Sequence, residues 1–251
     1  MNIFYYDIAV GIPIRQCFTY KSATNIKKGT RVVVPFGKKT KAGIVVRKIT
    51  RPDSLIKSGA IKGIISTDEK FPCFDKSIFE TILWASDYYH HPIGEVFSSF
   101  MPTVLRNQGN KIIAATNDIS TYELNETDKN FKLTKEQDTN LIKLKKITDF
   151  KPSLIYGVTG SGKTEIYLRL TEKLLKKNKA VLILVPEINL IPQLVSRFRN
   201  RFNGDVGIYH SKMTPNQRFK VWLRSKFGEI KIVIGTRSSV LMQLKDLGAI
   251  I

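Results

Sequence analysis

The feature that most constrains this chain is the run Gly157-Val158-Thr159-Gly160-Ser161-Gly162-Lys163-Thr164, which fits G-x-x-x-x-G-K-[ST]. Its glycines let the backbone curl so that N–H groups converge on phosphate oxygens, and a helix opening there adds its positive end. Lys163 is placed to reach the β- and γ-phosphates of a nucleoside triphosphate, and Thr164 to offer its hydroxyl to Mg²⁺. The pattern carries weight only between a strand and a helix. Here the apolar run SLIY (153–156) precedes it and reads as a buried strand, and the amphipathic KTEIYLRLTEKLLKKN follows. Kinases, GTPases and motor ATPases share such a loop, so it does not name a reaction.

The surrounding pattern extends this half of the chain. Residues 134–146 suit a helix with Thr134 as N-cap and Gln137 at N3, a capping box. AVLILV (180–185), VGIYH (206–210) and KIVIGT (231–236) read as strands. NLIPQLVSRFRNRF, interrupted early by Pro192, and TPNQRFKVWLRSKF read as helices. Alternating strand and helix predicts a parallel sheet covered on both faces.

The first hundred residues differ. IFYYDIAV, CFTY, TRVVVPF and AGIVVRKI are β-branched and aromatic segments, with exposed hairpin loops expected at 27–30 and 36–43. A helix is expected over 75–90 with Asp75 as N-cap, ended by Pro92 and Gly94, then a second short helix stopped near Pro102. Residues 107–130 lose apolar periodicity and read as a linker. The fold class is therefore α/β with a separate small β-rich domain: domain 1–106, linker 107–130, and a P-loop lobe over 131–251.

Charge points to a partner. Lys plus Arg number 41 against 21 Asp plus Glu, a net +20, which favours a polyanion. Residues 1–50 hold ten basic residues and one acid, Asp7, a concentration that suits a binding surface. No apolar run is long enough to span a bilayer, and MNIFYYDIAVG lacks the character of a signal peptide. Cys17 and Cys73 form neither a disulfide framework nor a metal cluster, so a cytoplasmic protein without a membrane partner is expected. Adjacent His90 and His91 point apart on a helix and are read as packing the Tyr88, Tyr89, Pro92 corner rather than binding metal. His210 is placed in a strand-end loop where it could touch nucleotide or DNA, with a loop residue of no role as an equal reading. Trp84 and Trp222 are read as core.

Several stretches agree on one family. GVTGSGKTEIYL (157–168), LVPEINLIPQ (184–193), RFRNRF (197–202), HSKMTPNQR (210–218) and IVIGTRSSV (232–240) closely resemble the first motor lobe of the primosomal protein N′ (PriA) family of bacterial replication-restart helicases. VPFGKK (34–39), GIVV (43–46) and WASDYYHHPIGEV (84–96) look like that family's DNA-binding domain. The resemblance implies a β-rich 3′-end and fork-binding domain before a partial RecA-like helicase lobe, with ATP and Mg²⁺ as cofactors.

It also implies roles for residues. Gln137 reads adenine; Lys163 and Thr164 are catalytic, within a nucleotide site of Gly157, Val158, Thr159, Gly160, Ser161, Gly162 and Gln137. PEI (186–188) and GTR (235–237) grip the single-strand backbone through Glu187, Thr236 and Arg237; a plain helix-start acid is the other reading of Glu187. Phe18 and Gly37, with Thr19, Lys38 and Lys39, match the pocket that captures a 3′ end. The family usually has an acid where Thr19 stands, which puts 3′-end selectivity in question. Half-buried strand packing is an equal reading of Phe18.

The implied activity is ATP-dependent 3′→5′ DNA helicase action at stalled forks, with single-strand binding protein and helicase-loading primosome proteins as partners. Some two dozen residues stand where the family has a winged-helix module, so that module is expected to be absent or reduced. LGAII (247–251) leads in the family into a D-E-x-H motif, with a second lobe and zinc-binding cysteines beyond. The piece as given is therefore expected to bind DNA, to bind ATP weakly and to lack turnover. A non-catalytic DNA-binding fragment is the alternative, and a small-substrate P-loop kinase is disfavoured by the basic β-domain.

Overall fold

The computed structural model describes residues 3–50, 60–68, 73–106, 123–124, 132–204 and 206–251. It divides into two compact units, Met1–Ala114 and Ala115–Ile251.

The first unit is an antiparallel sheet backed by two helices. Strands β1 (Phe4–Val10), β2 (Phe18–Ser22), β3 (Arg31–Phe36), β4 (Lys39–Ile49) and β5 (Ser66–Thr67) lie in the order β2-β1-β4-β3-β5. Alternation along β1 sends Tyr6, Ile8 and Val10 into a core shared with Tyr20, Val32, Val34 and Val45. Two tyrosines tie off the polar ends of that core. The Tyr6 hydroxyl accepts from the Ile26 amide at 2.8 Å, and the Tyr20 hydroxyl donates to the Pro35 carbonyl at 2.9 Å. Buried Arg31 pairs with Asp68 at 2.8 Å and donates through Nε to the Leu105 carbonyl at 2.6 Å. The expected loop over 36–43 is a tight turn instead: β3 and β4 pair down to Phe36↔Lys39, with Gly37 at φ +58° supplying the reversal.

Helix α1 (Lys76–Tyr88) begins as expected, its Asp75 side chain accepting from the Ile78 amide. Helix α2 (Ile93–Phe100) starts just after Pro92 and includes Gly94, where a helix end was expected. Gly94 is needed for contact rather than for ending a helix. A β-carbon there would lie 1.8 Å from the Val10 carbonyl oxygen. Gly94→Ala is thus expected to lower stability by about 2–3 kcal/mol, because the obstacle is backbone rather than a movable side chain; urea unfolding measures it.

The second unit is a parallel sheet with helices. Strand β6 (Glu123–Leu124) and helix α3 (Lys135–Lys145) precede α4 (Lys163–Lys176), β7 (Ala180–Leu184), α5 (Ile191–Arg201) and β8 (Phe202–Asn203). Then come β9 (Val206–Tyr209), α6 (Pro215–Phe227), β10 (Ile232–Gly235) and β11 (Leu247–Ile250), with sheet order β11-β7-β10-β9. All three pairings in this sheet are parallel. Inner strands β7 and β10 are buried almost throughout, as a sheet covered on both faces requires. Pro192 does not interrupt α5; it occupies the first turn, where no amide bond is lost.

Two further expectations are corrected. Residues 153–156 form no strand: Leu154 is 89% and Tyr156 93% exposed, and no ladder among the described residues takes them up. An apolar run becomes a strand only when a neighbour's edge accepts its hydrogen bonds. Trp84 is not core but 56% exposed. The inward face of α1 carries Phe79 and Ile82, and at 100° per residue Trp84 sits about 200° round from Ile82. Trp222, at 1% exposure, is core as expected. The interval 107–130 lies outside the described residues except for Glu123 and Leu124, which pair with β8.

Candidate functional site

Helix α4 reaches β7 through a connection of three residues, so it runs back along the sheet and its N-terminus lies at the carboxyl end of β7. The phosphate loop is therefore held at that edge. Gly160 and Gly162 adopt φ of +81° and +77°, the left-handed region that aims successive amides inward. Within the loop, the Ser161 amide donates to the Val158 carbonyl at 3.2 Å. The Lys163 ammonium donates to the carbonyls of Gly157 at 2.7 Å and Val158 at 2.9 Å. It thus sits inside the curve of the loop. Thr164 follows in the first turn of α4.

Gln137 is brought to this loop. It completes the capping box of α3, its Oε1 accepting from the Thr134 amide at 3.0 Å and its amide donating to Thr134 Oγ1 at 3.2 Å. Its Nε2 donates to the Ser161 carbonyl at 3.0 Å. Both ends of the side-chain amide are thereby engaged, one by the helix and one by the loop. A β-carbon on Gly162 would lie 2.3 Å from Gln137 Nε2. Gly162→Ala must therefore separate Gln137 from the loop and also hold alanine in a left-handed conformation costing about 1–2 kcal/mol. About a tenfold loss of ATP affinity is expected, read by titration with a fluorescent ATP analogue.

The same edge gathers the other residues of interest in this unit. Leu184, Gly235 and Tyr209 end three strands in register, so Glu187, Thr236, Arg237 and His210 all follow within three residues of that edge. Thr236 is half-buried, and its amide donates to the Tyr209 carbonyl at 3.3 Å. Arg237 and Glu187 are exposed. Glu187 precedes a short helical turn at Ile188–Leu190 without capping it through its side chain.

In the first unit, Phe18 packs edge-on against Phe36 with ring centroids 5.1 Å apart, at the rim of the core. That places Phe18 beside the Gly37, Lys38, Lys39 turn, whose residues are exposed, with open space beside the Gly37 α-carbon. Thr19 is not brought there. It points from the opposite sheet face, opposite Asp7 in the strand register, and its hydroxyl donates to Asp7 Oδ1 at 3.3 Å. Arg47 holds the other oxygen of Asp7 at 2.7 Å. Sequence reasoning missed both Asp7 and Arg47, although Asp7 stood out as the single acid among the first fifty residues. Burial, with the Asp7 carboxylate adding to it, pushes the neighbouring Cys17 thiol up to about 11 despite Arg47, so it is protonated at neutral pH.

Among the described residues no group of His, Cys, Asp and Glu could hold a metal ion, and no helix is long and apolar enough to cross a membrane.

Comparison with known proteins follows this division. Residues 7–102 match the PriA family model described as 3′DNA-binding domain (3′BD). Residues 114–247 match the model described as type III restriction enzyme, res subunit. The replication restart protein PriA of Haemophilus influenzae is 31% identical, the alignment covering 97% of this chain and 43% of that protein. That of Treponema pallidum is 30% identical over 98% of this chain and 37% of the relative. That of Synechocystis sp. is 49% identical over 39% of this chain and 12% of the relative. This chain spans about two fifths of the first two relatives. With a 3′DNA-binding domain ahead of a parallel-sheet lobe whose loop, lysine and glutamine interlock, the chain belongs to the PriA family of replication restart proteins.

Proposed function

We propose that this chain forms the fork-binding and ATP-binding part of a 3′→5′ DNA helicase that recognises stalled or abandoned replication forks in the cytoplasm and starts their restart. The observation that carries the reading is the Lys163 and Gln137 contact set on the phosphate loop, at the same sheet edge as Thr236 and Arg237. A translocase needs its nucleotide and its strand within reach of one rigid scaffold.

The donor set suits Mg-ATP: a curled loop with glycines at positive φ, a lysine inside it and a threonine behind it. Lys163 and the loop amides would hold the β- and γ-phosphates, Thr164 the Mg²⁺, and Gln137 the base side of the loop; bound Mg²⁺ would neutralise charge on the phosphates. Thr236, Arg237 and amides at the strand ends suit backbone phosphates of a single strand, with Glu187 beside them. In the first unit, Phe18 and the Gly37–Lys39 turn form the contact for a 3′ end. Asp7, held against Thr19, lies on the other sheet face from that contact. DNA-loaded single-strand binding protein and helicase-loading proteins are the partners this reading implies.

The test is binding to a fork whose leading strand ends in a 3′ hydroxyl, against the same fork ending in a 3′ phosphate. At least a fivefold preference for the hydroxyl is expected, reduced by Gly37→Val. Equal affinity for the two forks would remove the 3′-end role. A second reading is DNA binding without turnover by these residues. DNA-stimulated ATP turnover that disappears in Lys163→Ala would exclude it.

A further inference from the structure

Trp84, Tyr88 and Tyr89 have no part in the sites above, yet they are arranged. They are 56%, 63% and 67% exposed. The Trp84 ring stacks on Tyr88 with centroids 5.1 Å apart and planes 25° apart. Tyr89 stands edge-on to Tyr88 at 4.9 Å and to Trp84 at 6.2 Å. Rings of this size ordinarily enter a core. Here Phe79 and Ile82 fill the inward face of α1, and the three rings form a solvent-facing shelf at its C-terminal end.

The shelf leads into a cationic cleft. Past Tyr89 the chain turns through His90, at a left-handed φ of +50°. The turn is pinned to the helix: the His91 amide donates to the Ser86 carbonyl at 3.0 Å, and Ser86 Oγ donates to the His91 carbonyl at 2.8 Å. The Arg15 guanidinium donates to the His90 carbonyl, which sets a cation at the bend. His91 then lines an open cleft of about 780 Å³ between the start of β4 and α2, with Lys39, Lys41 and Arg106 on its walls. Among the described residues, the one acid lining the cleft, Glu95, is engaged by His91 Nε2 at 3.0 Å. The aromatic shelf and the cleft are thus joined through the short segment from Tyr89 to His91, and Lys39 at the cleft adjoins the Gly37 turn.

We propose that this tract binds unpaired nucleotides of a DNA strand, with bases stacked on the Trp84, Tyr88 and Tyr89 shelf and phosphates held in the Lys39, Lys41, Arg106 cleft. The inference rests on the DNA-binding reading of this unit and extends it from a strand terminus to the nucleotides that follow. Aromatic rings beside a basic groove are the two parts that sequence-tolerant single-strand binding needs, since every base has a π-face and every link a phosphate. A duplex does not fit, because its base faces are already stacked.

The experiment uses the full 251-residue chain and oligothymidylate closed by a 3′ phosphate, so that a terminus contact contributes nothing. Tryptophan fluorescence reports directly, because of the two tryptophans Trp84 is exposed while Trp222 is 1% exposed. Saturable quenching by the single strand and none by a blunt duplex is expected. Tyr88→Ala with Trp84→Ala should weaken binding of the blocked strand at least about tenfold, given the usual worth of a base–aromatic stack. Tyr88→Phe with Trp84→Phe should restore it. Lys41→Gln should reduce the salt slope by about 0.7 for one phosphate lost.

Should the alanine pair lose its native circular dichroism, Tyr88→Ser, at an exposed position, takes its place. Unchanged affinity in the alanine pair or in Tyr88→Ser overturns the tract, and so does restored solubility or altered self-association as their only effect, which would mark the shelf as a protein contact. If the parent chain binds no DNA of any form, the DNA-binding reading itself fails. If fork binding persists while the shelf variants bind the blocked strand as the parent does, only the tract fails.

Discussion

Replacing Lys163 with alanine is expected to lower the affinity of this chain for Mg-ATP by between about 10-fold and 100-fold, the range for losing a charged hydrogen-bond donor. The ammonium contributes twice. It would meet the β- and γ-phosphates, and it closes the loop by bonding the Gly157 and Val158 carbonyls. With alanine there, the curl is held only by the Ser161–Val158 bond and by Gln137. Those contacts are solvent-exposed, so thermal stability should stay within about a degree or two of the parent. Isothermal titration with ATP, alongside a melting curve, separates the two quantities. Lys163→Arg keeps the charge but replaces a compact ammonium with a broad planar fork, and should recover little. Parent-like ATP affinity in Lys163→Ala would sink the assignment of the loop as a triphosphate site.

The second large effect is expected at Arg201→Ala. Arg201 is 2% exposed at the end of α5 and reaches Glu165 at 3.5 Å and Glu172 at 3.9 Å on α4. Glu165 is also held by Arg169 at 2.9 Å, and Glu172 by Lys176 at 2.9 Å. Removing the arginine leaves two carboxylates against a newly emptied interior space, with only partly exposed cations to offset them. Breaking such a pair from one side costs about 3–5 kcal/mol, or roughly 10 °C in the melting temperature of the second unit. Because Glu165 directly follows Thr164, ATP affinity should fall too, and addition of nucleotide should return part of the lost stability. A melting shift below about 2 °C would show that the α4–α5 contact rests on Phe198 and its apolar neighbours instead.

Much of this was legible in the residues. A capping box was written in Thr134 and Gln137, and the inner strands announced themselves as continuous apolar runs, because burial on both faces leaves no polar alternation. The phosphate loop was legible because its glycines are required by backbone geometry. What failed to be legible depended on partners distant in sequence. SLIY has the composition of a strand, but strand identity belongs to a ladder. Trp84 falls among apolar residues, yet its angular position on α1 relative to Phe79 and Ile82 decides its exposure. Asp7 and Thr19 meet only because β1 and β2 pair in one register, and the Lys39, Lys41, Arg106 cleft joins residues more than sixty positions apart.

Gln137 gives the loop and the start of α3 a shared free energy. Its carbonyl caps the helix while its amide nitrogen holds the loop, so a ligand that draws the nitrogen from Ser161 also alters how firmly the first turn of α3 is fixed. Such coupling is reciprocal. Thr134→Ala should shift nucleotide affinity, and nucleotide should shift hydrogen exchange at the amides of Glu136 and Gln137. Occupancy of the loop is thereby made readable at the first turn of α3.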